Sequence, residues 1–302
     1  MLKKRGIMGK KKDVFAAHRV KVPPLQTIMG PLFPKRTENE VSAMNTFDVT
    51  KLMKYIEKKN AGHPDYKTTV FHCIVFAVAR IIKERPYLNR YIQAGRFYER
   101  ECISLSFVVK REFKDGAKES LFLLVPKEDD TIDSVSRRIV GEVKEVRKAE
   151  YGSSGGVDQN LDVVSKFPSL LLSLFVGTVR ELDYMGIDFK ALKEGDPNFT
   201  TVLLSNLGSI QAPACYHHLN NYGTNSIMIT VGTLRVEPVL KPDGTTEMRT
   251  KLDICTTIDE RIADGFYFAK SLRLLKHIFE HPETLDLPFG EPSGFDYDKK
   301  MV

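Results

Sequence analysis

The sequence predicts an α/β fold in two layers, in which a mixed sheet is flanked by helices. Segments with helical spacing and segments with strand-like alternation are interspersed along the chain, and the strands fall in two hairpin-like clusters. The length of 302 residues suits one large domain or two small ones, and the hydrophobic share of 42% is ordinary for a globular core. No internal repeat, P-loop or G-x-G-x-x-G motif in the sequence favours another architecture.

Apolar residues at helical spacing and long apolar runs predict five helices. They run through residues 52–56 and over about 68–84, 131–149, 167–182 and 264–280. Asp48 or Thr50 is the predicted cap of the first helix, and Ser165 or Ser169 that of the fourth. Proline follows the second helix and the last one, and ends each of them.

Alternating apolar and polar residues, and short apolar runs, predict six strands. These strands are expected over residues 103–110, 120–125, 200–204, 226–231, 234–239 and 250–258. The turn chemistry at 114–116 predicts a hairpin between the first two. Residues 1 to about 45 are expected to be irregular, because four prolines interrupt any long helix there.

Much of the excess positive charge lies at the start of the chain. The formal net charge of +6 permits an acidic ligand such as a phosphorylated cofactor. Residues 1–20 are expected to be a basic, solvated tail, whose cations include Lys3, Lys4, Arg5, Lys10, Lys11 and Lys12. Neither zinc-finger spacing nor a basic stripe with interleaved aromatic residues follows, so no nucleic-acid partner is predicted.

Cysteine usage and hydropathy predict a cytoplasmic protein without a metal. The four cysteines are far apart and form no C-x-x-C pair, which argues against a zinc or redox motif and fits a reducing compartment. The basic start is not followed by an apolar segment, so no signal peptide is expected. The longest apolar run, residues 70–82, is too short to span a bilayer, and no membrane partner is predicted.

The most specific signal lies near the C-terminus. Residues 258–265 read I-D-E-R-I-A-D-G, at the end of a predicted strand and the start of a predicted helix. This segment resembles the signature Asp-His-Arg-Val/Ile-x-Asp-Gly of the 2-oxo acid dehydrogenase acyltransferases. Glu260 stands where that family has its catalytic histidine.

Three further blocks agree with the same family in the same order. Residues 199–208 resemble its Phe-Thr-x-Ser/Thr-Asn-x-Gly strand and turn, and Pro213 with residues 226–232 resembles the loop and strand that follow. Residues 47–52 are similar to its Asp-Val-Thr-Lys-Leu helix entry, and residues 121–126 to its strand that ends in Val-Pro. The resemblance extends over roughly residues 20–285.

The resemblance implies a fold like that of chloramphenicol acetyltransferase, formed by residues 21–285, with 286–302 as a C-terminal tail. It also implies a homotrimer whose active-site channel lies between neighbouring subunits. CoA or acyl-CoA would enter from one side as substrate, and a small-molecule acyl acceptor from the other. A lipoyl attachment is not expected on this chain, because no lipoyl or subunit-binding domain precedes the acyltransferase-like region.

The chemistry implied by the resemblance needs a base and an oxyanion donor. In the family, the histidine removes a proton from a thiol or hydroxyl acceptor, which then attacks a thioester carbonyl. The hydroxyl of the upstream block donates a hydrogen bond to the resulting oxyanion, and it maps to Ser205. The base maps to Glu260, which would need a pKa raised by desolvation to do this work.

The same resemblance assigns structural roles around the turn. Arg261, Asp264 and Gly265 are expected to shape the active site. Asp264 maps to an aspartate that pairs with an arginine, for which Arg19 and Arg36 are the candidates. Gly265 is expected to allow tight backbone passage at the helix start.

The glutamate leaves two functions open. One is an acyl-CoA-dependent acyltransferase that uses a thiol, hydroxyl or amine acceptor, with altered or weakened catalysis. The other is an inactive trimeric homologue that serves as a scaffold, a regulator or a CoA-binding protein. A normal glutamate is about two pK units less basic than imidazole, so the replacement bears directly on this choice.

His217 and His218 are candidate auxiliary groups. Adjacent histidines in a loop fit metal binding or catalysis, but a surface loop without a third ligand is commoner, and no metal is predicted.

Overall fold

The computed structural model describes residues 13–62, 65–110, 119–148, 168–187, 193 and 196–298. Its longer helices, numbered in chain order, are α1 (Pro24–Leu32), α2 (Thr50–Gly62), α3 (Val70–Glu84), α4 (Ile132–Lys148), α5 (Ser169–Tyr184) and α6 (Gly265–Glu280). Its strands are β1 (Ala17–Arg19), β2 (Glu40–Asp48), β3 (Arg90–Gln93), β4 (Arg96–Arg100), β5 (Leu105–Lys110), β6 (Glu119–Leu124), β7 (Val202–Asn206), β8 (Ile227–Leu240) and β9 (Thr246–Asp259).

The main sheet has six strands in the order β2-β9-β8-β7-β5-β6. It is mixed, because β7 runs parallel to both of its neighbours while the other pairs are antiparallel. A second sheet of three short strands has the order β1-β4-β3. Helices α2, α3, α4 and α6 contribute to the same hydrophobic core as the main sheet, so the predicted α/β architecture of sheet and flanking helices is confirmed.

Helix α3 lies at the centre of this core. Every residue from His72 to Ile82 is buried, which fits a helix that is apolar nearly all round. The Thr69 hydroxyl caps its start by accepting from the His72 N–H at 3.3 Å. The buried guanidinium of Arg80 donates to the carbonyls of Leu287, Pro288 and Glu291 at 2.9–3.0 Å, so the chain after residue 286 packs against α3.

The expectation of an irregular start is wrong for the described part of residues 1–45. Helix α1 forms there because Pro24 occupies its first turn, where a missing N–H costs nothing. Strand β2 was missed because most of its side chains are exposed on both faces, so it shows little alternation. Its pairing with β9 supplies the register instead.

Two further expectations need correction. The strands predicted at 226–231 and 234–239 are one strand, β8, with an irregularity between Val231 and Leu234. Helix α5 begins at Ser169 after Pro168, and no side chain caps it. Ser165 and the turn at 114–116 lie outside the described residues, although β5 and β6 do pair as predicted.

The remaining predicted helices and strands agree with the structure to within a few residues. In the described ranges, no helix combines the length and apolarity that crossing a membrane requires.

Candidate active site

Glu260 lies on a tight turn that follows β9. A short 3-10 helix, Glu260–Ile262, begins there, and the Glu260 N–H donates to the Asn39 carbonyl at 2.9 Å. The side chain of Glu260 is exposed in the single chain. The main-chain contact ties the turn to the segment that leads into β2.

A cluster of buried charged side chains holds the turn from the interior of the protein. Asp259 has no exposed surface, and its carboxylate accepts from Arg261 at 2.8 Å (Nε) and 2.6 Å (Nη2). The Arg261 Nη1 donates to the Phe33 carbonyl at 2.7 Å, which links the turn to the chain after α1. Arg36 is also buried, with its Nε 3.9 Å from Asp259. Burial lowers the pKa of Arg36, and the charge of Asp259 opposes that change.

Asp264 acts as the N-cap of α6. Its carboxylate accepts from the Tyr267 N–H at 2.8 Å. Among the described residues Asp264 forms an ion pair with neither of its two predicted candidates, Arg19 and Arg36, and the carboxylate beside Arg36 is that of Asp259. Asp264 thus fixes the start of the helix, while Asp259 holds the arginines.

Gly265 does not provide the tight backbone passage that was expected of it. A Cβ built at this position meets no atom within 4 Å, and its φ lies outside the left-handed region. The absence of a side chain leaves open space at the start of α6 instead.

That space belongs to an apolar cavity of about 310 Å³. Strands β2, β8 and β9 form one wall, and α3 and α6 form the other. Among its lining residues, all of which are described, Glu260 is the one with a charged side chain. The candidate base therefore lies beside a hydrocarbon-lined space of ligand size.

Ser205 occupies the end of β7, and a second tight turn follows it. A Cβ on Gly208 would lie 2.4 Å from the Gly232 carbonyl oxygen, and a Cβ on Gly232 would lie 2.5 Å from the Ala214 nitrogen. Both positions therefore require glycine for close backbone approach. This packing fixes the turn next to the half-buried Ser205.

One chain does not bring Ser205 and Glu260 together. Ser205 pairs with Thr230, Thr230 pairs with Cys255, and Glu260 follows Cys255 further along the chain. At about 3.3 Å per residue and about 4.8 Å per strand spacing, the two positions are on the order of 20 Å apart. A shared site would need a second copy of the chain.

His217 and His218 do not line the cavity beside Glu260. They are exposed, and the Nδ1 atom of each lies 2.8–2.9 Å from the carbonyl oxygen of the next residue. Their loop is anchored where the Leu219 N–H donates to Glu40 at 2.9 Å. In the described parts of the chain, no group of three or more His, Cys, Asp or Glu residues is arranged to hold a metal ion.

Sequence reasoning missed a second cavity, of about 440 Å³, that also borders the turn and is lined mostly by charged and polar residues. Arg36 and Arg261 line it together with Gln93 and Asp183, and Gln93 donates to the Asp183 carbonyl at 2.9 Å. Its walls come from segments far apart in the sequence, so no local pattern could have revealed it.

Comparison with known proteins tests the resemblance to the acyltransferase family. Residues 189–287, which include both turns, match the family described as 2-oxoacid dehydrogenases acyltransferase (catalytic domain). The chain resembles that catalytic domain. The lipoamide acyltransferase component of the branched-chain alpha-keto acid dehydrogenase complex of Bacillus subtilis (strain 168) is 24% identical over 257 residues. The match covers 82% of this chain and 48% of that protein, so the chain spans about half the length of the curated relative.

Solved structures confirm the acyltransferase-like fold. The cubic core of the pyruvate dehydrogenase multienzyme complex has a TM-score of 0.58 at 16% identity, with 89% of this chain and 94% of that chain covered. Chloramphenicol acetyltransferase has a TM-score of 0.52 at 14% identity, with 87% and 100% covered. The resemblance to the 2-oxo acid dehydrogenase acyltransferases and the chloramphenicol acetyltransferase-like fold, both predicted from motifs, are therefore confirmed.

Proposed function

We propose that this chain is a cytoplasmic acyltransferase of the 2-oxo acid dehydrogenase type. It moves an acyl group between CoA and a thiol, hydroxyl or amine acceptor. The observation that carries the proposal is the place of Glu260, on a turn held by the buried Asp259–Arg261 pair and beside an apolar cavity. The motif resemblance assigns the base to this same position.

In the proposed reaction, the Glu260 carboxylate takes the proton from the acceptor thiol, hydroxyl or amine as that atom attacks the acyl-CoA carbonyl. The Ser205 hydroxyl donates a hydrogen bond to the tetrahedral oxyanion. The carbon–sulfur bond then breaks, and the departing CoA thiolate takes the proton back from Glu260. No proton or electron is lost, and the carboxylate is regenerated.

This mechanism requires two copies of the chain, because Ser205 and Glu260 are on the order of 20 Å apart within one. We propose a homotrimer in which Ser205 of one subunit faces Glu260 of its neighbour. Glu260 is exposed in the single chain, so the neighbouring subunit would also supply the desolvation that a carboxylate base needs. CoA is a substrate in this proposal.

Thiol release from acyl-CoA, measured in the presence of several acceptors, tests the proposal. Glu260→Gln should lower turnover by about 10²–10⁴-fold, the usual contribution of a general base. Ser205→Ala should lower it by about 10²–10³-fold. Mixing the two inactive variants should restore part of the activity, since a mixed trimer contains some interfaces with both native side chains. Unchanged turnover in Glu260→Gln would contradict the proposal.

The second candidate is an inactive trimer that serves as a scaffold, a regulator or a CoA-binding protein. The observation that favours it is the glutamate at the family's histidine position. Glu260→His separates the two functions. A native chain without turnover that gains turnover with histidine supports the inactive trimer, whereas an active native chain excludes it.

A further inference from the structure

We propose that the apolar cavity beside Glu260 binds the hydrocarbon chain of a medium-length acyl group, with the acyl carbonyl at its mouth. This inference rests on the proposed acyltransferase function for the head group of the ligand. It goes further by naming the class of acyl group. The walls, the volume and the mouth of the cavity each support it.

The walls offer a ligand almost nothing to hydrogen-bond. Ile82, Ile229 and Leu275 are typical of the lining. The hydroxyl of Ser271, one of the few polar lining groups, already donates to the Tyr267 carbonyl at 2.8 Å. A polar ligand in this space would lose its hydrogen bonds to water without replacement. Apolar cavities also disfavour water, so the occupant that fits is a hydrocarbon.

The volume selects chain length. An engineered apolar cavity of roughly 150 Å³ binds benzene, and this cavity has about twice that volume, about 310 Å³. It therefore suits roughly 8 to 12 carbons and is far too large for an acetyl group to fill. Each methylene buried along its walls should strengthen binding about fourfold, until the space is full.

The mouth selects the head group. Val41, Ala43 and Glu260 are exposed there, so an acyl chain can enter from solvent or from a neighbouring subunit. A carboxylate at the entrance opposes a second negative charge at the same point. The cavity thus favours an uncharged carbonyl, as in a thioester, over a free fatty acid.

Calorimetric titration of the full chain tests this inference without any need for turnover. The ligands are acetyl-, butanoyl-, octanoyl- and dodecanoyl-CoA, together with free octanoate. The dissociation constant should fall about fourfold per methylene from acetyl- to octanoyl-CoA and then level off. Free octanoate should bind at least tenfold more weakly than octanoyl-CoA.

Two variants fill the mouth from exposed positions, where the larger side chain does not strain the core. Ala43→Leu and Ala269→Leu should each weaken octanoyl-CoA binding at least tenfold and reduce the gain in affinity per methylene. Ala61→Leu is the matched control, because Ala61 is exposed near the end of α2 and does not line the cavity. It should bind the whole series like the native chain.

Equal affinity for all chain lengths overturns the inference, and so does an effect of Ala61→Leu as large as that of Ala269→Leu. A change of oligomeric mass in Ala269→Leu with unchanged chain-length dependence also overturns it, because the cavity is then a contact between subunits. If affinity rises steeply with acyl-chain length but no turnover is found, the acyl-chain site is supported and the proposed transferase function is contradicted. If turnover is found but affinity does not depend on chain length, the transferase function is supported and the acyl-chain site is contradicted.

Discussion

Two turns carry the proposed chemistry, and they are built in different ways. The turn at Glu260 is held by side chains, through the buried carboxylate of Asp259 and its arginines. The turn after Ser205 is held by backbone, through the close approach of Gly208 to Gly232. The first therefore depends on charge balance and the second on the absence of a Cβ, and substitutions should separate the two.

The largest expected effect is at Asp259. Asp259→Asn removes the buried negative charge and leaves Arg261 and Arg36 without it. Breaking one partner of a buried ion pair typically costs about 3–5 kcal/mol of unfolding free energy, which urea denaturation measures. Turnover should be lost as well, since the turn that carries Glu260 is no longer held.

A matched control lies on the same strand. Asp253 accepts from Arg235, which is considerably more exposed than the arginines beside Asp259. Asp253→Asn should therefore cost less than about 1 kcal/mol. Similar costs for the two substitutions would contradict the role given to the buried cluster.

The next effect tests the backbone turn. Gly208→Ala adds a Cβ that would lie 2.4 Å from a main-chain oxygen, so the chain must shift, at a cost of about 1–3 kcal/mol. Gly265→Ala is the control, because its Cβ meets nothing within 4 Å. Alanine there should leave the unfolding free energy unchanged or raise it by up to about 1 kcal/mol. Thermal and urea denaturation of the pair measure the contrast, and equal changes in the two variants would contradict the close-approach role given to Gly208.

The sequence predicts these two turns unequally. Both lie in motif blocks, so the family resemblance locates Glu260 and Ser205. It does not show that Arg36 pairs with Asp259 rather than Asp264, because that contact joins distant parts of the chain. It also misassigns Gly265, since a motif records that a glycine is present but not whether space surrounds it.

The rest of the site depends on tertiary contacts that no local pattern records. Each apolar run predicts burial, but the cavity arises from what several separate strands and helices leave unfilled between them. Strand β2, which forms part of its wall, was missed because an edge strand with two largely exposed faces lacks alternation. Prediction was strongest where the pattern was clear, as in the long apolar run of α3 and the alternation of β9.

A smaller effect is expected at the helix cap beside the Glu260 turn. Asp264→Ala removes the acceptor for the Tyr267 N–H and should cost about 1 kcal/mol. Asp264→Asn keeps an acceptor oxygen and should lower the unfolding free energy by only a few tenths of a kcal/mol. If alanine and asparagine destabilise equally, the capping role is wrong and a charge effect takes its place.

The smallest effect on stability is expected at Glu260 itself. Its side chain is exposed in the single chain and its anchoring hydrogen bond is made by the backbone, so Glu260→Gln should change the unfolding free energy by less than about 0.5 kcal/mol. Under the proposed function, the same substitution lowers turnover by at least about 100-fold. Urea denaturation and thiol release on one preparation measure both. A loss of stability comparable to that of Asp259→Asn would mean that Glu260 holds the turn together, and its distinct role as the base would be lost.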